Sequence, residues 1–108
     1  GKYIRSFNFE GGTKMNYTIV NPSPNQRIAF DQNGNQFFIS YSTVVAMKEN
    51  GEYFRTSKKY SNTTTRHINR WLADRDAQHV ETISQYELDS ATPCRLVEML
   101  ECERGESK

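Results

Sequence analysis

The sequence predicts one α+β domain: an antiparallel β-sheet of four to five strands packed against one central helix, with a C-terminal helix alongside. Three observations predict it. Two Asn-Gly pairs, Asn33-Gly34 and Asn50-Gly51, punctuate short apolar stretches, and Asn-Gly is the pair a two-residue hairpin turn favours. Thr64, Ile68, Trp71, Leu72 and Arg75 fall on one face at helical spacing, behind Ser61 and Asn62, whose side-chain oxygens can cap the free amides of a first turn. Thr92-Pro93 precedes a stripe of Leu96, Met99 and Leu100, and proline suits the first helical position because its missing donor is not needed there. The 108 residues suffice for one compact domain and not for two. With 35% hydrophobic residues the core is modest, and six Tyr, six Phe and one Trp supply much of it.

The elements follow in order. Glu10-Gly11-Gly12 ahead of Met15 is what a purine-rich ribosome-binding site reads as when translated. Met15 is therefore the expected natural start, residues 1–14 an extension, residues 15–104 the domain and residues 105–108 a polar tail. The alternative for residues 3–9 is a strand, since Tyr3, Arg5, Phe7 and Phe9 alternate with other residues. Residues 17–20 form a strand stopped by Asn21-Pro22-Ser23-Pro24-Asn25. Residues 27–30, 36–40, 43–48 and 52–56 are further strands, with type I′ turns expected at both Asn-Gly pairs. The helix covers residues 62–73 and ends near residues 74–76. Residues 79–83 suit a short strand. Ser84-Gln85-Tyr86-Glu87 has the form of a capping box.

Charge is polarised along the chain. Residues 1–75 hold 11 Lys and Arg against 5 Asp and Glu, and residues 76–108 hold 3 against 8. Such a chain either steers partners on one side or neutralises itself across the fold. Cys94 and Cys102 share the last helix two turns apart, about 12 Å along the axis. A disulfide needs Cα atoms within about 7 Å, so reduced thiols are expected, as in a cytosolic protein. No apolar run approaches the roughly 20 residues needed to cross a membrane, and residues 1–14 have no charged and apolar regions of a signal peptide.

Few residues suggest reaction chemistry. Cys94 or Cys102 with His67 or His79 forms no nucleophile motif. The same four residues lack the close ligand pairs of common zinc sites, and no phosphate-cradling glycine pattern exists. The expectation is a protein without catalytic residues, metal or cofactor. Residues 53–71 stand out. They hold Arg55, Lys58, Lys59, Arg66 and Arg70, interleaved with Tyr53, Phe54, Tyr60 and Trp71, and no acid. Cations there can neutralise phosphates and aromatics can stack bases. Helical phasing assigns Ile68, Trp71 and Leu72 to the core. The residues left for binding are Arg55, Lys58, Lys59, Arg66, Asn69 and Arg70.

Two stretches carry a resemblance. Phe38, Ser40, Tyr41, Thr43 and Ala46 form an F-x-S-Y-x-T-x-x-A pattern. Tyr60, Ser61, Thr63, Thr64, Arg66, His67, Asn69, Trp71 and Leu72 form Y-S-x-T-T-x-[KR]-H-x-N-x-[FW]-L. With residues 80–89, these resemble a family of small, mostly uncharacterised bacteriophage and prophage proteins over roughly residues 36–90. The resemblance implies a phage setting, the cytoplasm of a bacterial host, and no catalytic residues to transfer. Small phage proteins of this kind commonly bind and inhibit a host machine, including CRISPR effectors. The expected function is thus a non-enzymatic, anti-CRISPR-like inhibitor. Its partner is a host protein or protein–nucleic acid complex, met through the basic segment or through the acidic helix bearing Glu98, Glu101 and Glu103. The alternative is a nucleic-acid-binding accessory protein using residues 55–70.

Overall fold

The computed structural model describes the backbone of residues 3–9 and 15–105 and the side chains of residues 17–101. Within these residues the chain forms one sheet of strands β1 (Tyr3–Phe9), β2 (Met15–Ser23), β3 (Gln26–Phe30), β4 (Gln36–Ser40), β5 (Thr43–Glu49), β6 (Glu52–Thr56) and β7 (Val80–Ile83), in that spatial order. Helix α1 (Asn62–Asp74) lies between β6 and β7 in the chain, and α2 (Gln85–Ala91) and α3 (Cys94–Gly105) follow β7. The α+β class stands, but the described sheet has seven strands rather than four or five. It is also mixed: β1 to β6 pair antiparallel, and β7 runs parallel to β6 from Tyr53↔Val80 to Thr56↔Ile83. The reason is the crossover. A helix carries the chain back along the sheet, so the next strand enters in the direction of the last. β1 pairs with β2 from Tyr3↔Asn21 to Phe9↔Met15, which is the strand that the alternation over residues 3–9 suggests.

No single helix is central. Ile68, Trp71 and Leu72 of α1 pack on Ile28, Phe38, Val45 and Ala46 on one face of the sheet. Leu88 of α2 and Leu96 and Leu100 of α3 pack on Tyr17, Ile19, Phe37, Ile39, Val44 and Met47 on the other. Because side chains alternate along a strand, β4 sends Phe37 and Ile39 to one core and Phe38 to the other. β5 breaks the alternation with a bulge. Phe38 pairs with Ala46 and Ile39 with Val44, so Val45 is the extra residue and joins Ala46 under α1. Covered on both faces, these strands read as near-continuous apolar runs.

Local chemistry sets the turns and caps. At Asn50-Gly51 both residues have positive φ, 53° and 81°, and Glu49 pairs with Glu52, as expected of a two-residue type I′ turn. The Asn33-Gly34 turn differs from the expectation. Only Gly34 has positive φ, so the pair is not a type I′ turn, although the connection runs over the five residues expected between Phe30 and Gln36. Asp31 organises it: its Oδ1 accepts from the Asn33 and Asn35 amides at 2.8 and 2.9 Å. That carboxylate replaces the turn's own backbone preference. Ser61 caps α1 by accepting from the Thr64 amide, and Ser84 and Glu87 complete a capping box on α2. Pro93 stands one residue before α3, where its carbonyl accepts from the Val97 amide at 3.1 Å, rather than inside the first turn.

Candidate binding surface on helix α1

Helix α1 presents two unlike faces. Thr64, Ile68, Trp71 and Leu72 are buried. Arg66, Asn69 and Arg70 are exposed on the other side, because three- and four-residue spacings keep side chains on one face. The N-terminal half is stitched to β4. Thr64 Oγ1 lies 3.3 Å from Ser40 Oγ, and His67 Nδ1 lies 3.4 Å from the same oxygen. Ser61 Oγ accepts from the Thr64 amide at 3.1 Å and donates to Thr64 Oγ1 at 3.2 Å. Among the described residues, the Ser40 hydroxyl and His67 imidazole are paired in the manner of a nucleophile and base. Ser40 is only 3% exposed beneath the helix and shares its oxygen with Thr64, so the pair holds α1 in place on the sheet.

Four of the six residues expected to bind gather on this surface. Arg55 projects from β6 and donates to Asn69 Oδ1 at 2.9 Å, which fixes both side chains. Arg66 and Arg70 form no hydrogen bond or ion pair with any described residue. Lys59 donates to Asn62 Oδ1 at 3.0 Å at the helix start. Lys58 is turned away. Its ammonium sits 5.0 Å from the Tyr60 ring centroid, in a cleft shared with Ser42, Gln85, Asp89 and Glu101 beside α2 and α3. Burial, then the charge of Asp89, raises the Tyr60 pKa above its ordinary value. Of the aromatics in the segment, Trp71 is buried and Tyr53 and Phe54 pack against the cores. Tyr60 alone of these four is exposed.

The charge asymmetry maps onto the two faces. Arg55, Arg66 and Arg70 lie on the α1 side, whereas Glu87, Asp89, Glu98 and Glu101 belong to α2 and α3. Lys58 of the first half nevertheless shares a cleft with Asp89 and Glu101 of the second. Among the described residues no three of His, Cys, Asp and Glu gather where a metal could be held. His79 and Cys94 are exposed at separate places, and the Cys94 thiol is free.

One residue read in the sequence only as part of a pattern has an unexpected conformation. Tyr41 occupies the two-residue turn between β4 and β5 with φ of 60° and is 52% exposed. Its backbone is clamped on both sides: its amide donates to the Asn25 carbonyl at 2.9 Å, and Arg27 Nη2 donates to its carbonyl at 2.8 Å. Its place in the F-x-S-Y pattern is the signal that could have drawn attention to it.

No curated protein and no solved structure matches the chain. A family model matches residues 10–90, and the chain belongs to that family, a family of unknown function, DUF8033.

Proposed function

We propose that this family member is a small non-enzymatic binding protein of phage type that obstructs a host defence machine such as a CRISPR effector, with the exposed face of α1 as its contact surface. One observation carries the choice of surface. Arg66 and Arg70 project from a rigid, well-anchored helix with no described partner, next to Arg55 and Asn69, which hold each other in place. Unpaired guanidiniums on a fixed scaffold suit charge-complementary docking, because little further ordering is needed. The phage setting and the class of target rest on the resemblance carried by residues 36–90.

The same free cations support the second reading, direct nucleic-acid binding, with Tyr60 as its one exposed aromatic in the segment. Capture from a bacterial lysate with and without nuclease separates the two. Under the first reading, capture of one effector survives nuclease and falls at least about tenfold in Arg66→Glu with Arg70→Glu. Under the second, capture vanishes with nuclease, and binding to an oligonucleotide weakens with salt at a log–log slope of about −2 to −4, as expected for roughly two to four phosphate contacts. Nuclease-resistant capture that ignores the double charge reversal removes the α1 surface from both readings.

A further inference from the structure

Beside α1, the sheet face is open. The helix packs on β4 and β5, and toward β2 and β3 a groove of about 820 Å³ remains. Ile28, Phe30 and Phe38 line its apolar part, and Arg70, Trp71 and Arg75 its helical wall. The polar groups of that wall are donors apart from the Asp74 carboxylate. Trp71 is 3% exposed, yet its indole N–H meets no acceptor. Arg75 is held in place: its Nε donates to Gln36 Oε1 at 2.6 Å, its Nη1 donates to the Trp71 carbonyl at 3.1 Å, and its guanidinium carbon lies 5.0 Å from the Trp71 ring centroid. A guanidinium has five N–H donors, and most of them stay available here. Burial lowers the Arg75 pKa from its ordinary value, with Asp74 and Tyr53 opposing, as for a cation partly stripped of water. Arg70 has no described partner.

We propose that this groove binds a segment of a protein partner in which an acidic residue adjoins an aliphatic or aromatic one. The carboxylate pairs with Arg75 and Arg70, and the apolar neighbour lies on Ile28 and Phe30. A preorganised guanidinium matches a carboxylate through two parallel hydrogen bonds. Asp74 is the one acid among the described residues that line the groove, and it adjoins Arg75 in the chain. That leaves enough positive charge for a single carboxylate but sets a repulsive group against a run of phosphates, so a peptide fits better than a polynucleotide. The inference rests on the protein-binding reading above and specifies what the partner must carry.

The chain's one tryptophan supplies a direct probe, since a ¹H–¹⁵N spectrum shows one indole cross-peak. The acetylated and amidated peptide Phe-Glu-Leu-Asp is expected to shift that peak saturably. Its Phe-Gln-Leu-Asn counterpart is expected to bind about tenfold more weakly or worse. Val20→Glu, which places a carboxylate in the groove, is expected to abolish the shift, with the remaining cross-peaks reporting an intact fold. Glu52→Gln, exposed and outside the groove, is expected to leave it unchanged. The proposal is overturned if the acidic peptide leaves the indole peak in place or if the neutral peptide binds equally well. It is also overturned if Val20→Glu binds as before, or if inorganic phosphate or an oligothymidine shifts the peak and the peptide does not. Effector capture that depends on Arg66 without peptide binding removes the groove and keeps the surface reading. Peptide binding without any effector capture keeps the groove and removes the host-defence reading.

Discussion

Tyr17 is 1% exposed in the core beneath α2 and α3. Burial, reinforced by the charge of Asp31, pushes its pKa from 10.0 up to about 12. The folded chain therefore keeps a proton that the unfolded chain releases between these values. This stabilisation is fully present below pH 10 and is lost as pH rises through 12, an effect of about 2–3 kcal/mol from this group. Urea unfolding of Tyr17→Phe is expected to show that much less alkaline loss than the parent. Tyr60 shifts in the same direction but is present in both proteins, so the difference isolates Tyr17. Parallel profiles from pH 9 to 12 would sink the assignment. At the same scale, the binding residues divide by how much of their position is local. Arg66, Asn69 and Arg70 are legible from helical phasing alone. The Arg55–Asn69 contact and the turning of Lys58 toward Tyr60 depend on which strand α1 crosses and on where α2 and α3 lie, and spacing in the sequence encodes neither.

Among the elements, α1 depends most visibly on one residue. Ser61 satisfies the Thr64 amide and also contacts the hydroxyl that reaches Ser40. Ser61→Ala is expected to cost about 1 kcal/mol from the cap, while Ser61→Asp retains most of that stability. Denaturant midpoints at unchanged m-value provide the measurement, and equal losses in both variants would show that capping is not the cause. The caps and the Asn50-Gly51 turn are legible in the sequence because their determinants lie within four residues of one another. The extent of the Asn33-Gly34 connection is legible as well, but its turn type misleads because the deciding group, the Asp31 carboxylate, lies upstream of the pair. The Tyr41-Ser42 turn gives no glycine signal at all, because a backbone hydrogen bond to Asn25 and one from the Arg27 side chain hold a tyrosine where glycine is the usual occupant. The direction of β7 is likewise not local, since four residues suit either orientation until the crossover places them.

At the scale of the whole molecule, the sheet has an apolar core on each face, and the runs Phe37-Phe38-Ile39 and Val44-Val45-Ala46-Met47 are the sequence trace of that double cover. A single central helix was the simpler reading because the α3 stripe is narrow and its neighbours are charged. Packing decides otherwise: Leu88 and Leu96 are 0% exposed and Leu100 is 3% exposed. If α3 were merely alongside, trimming its stripe would matter little. In the observed fold, Leu96→Ala and Leu100→Ala each remove a core side chain at a cost of about 2–5 kcal/mol. Total stability for a domain is only about 5–15 kcal/mol. The two leucines belong to one core, so the double variant need not be additive, but it is expected to lose most of its folded population. Near-ultraviolet circular dichroism and dye binding to exposed apolar surface would register that loss. A double variant that unfolds at the parent's denaturant midpoint would mean that α3 does not close the second face, and the seven-stranded sheet would then need another cover for Phe37, Ile39 and Met47.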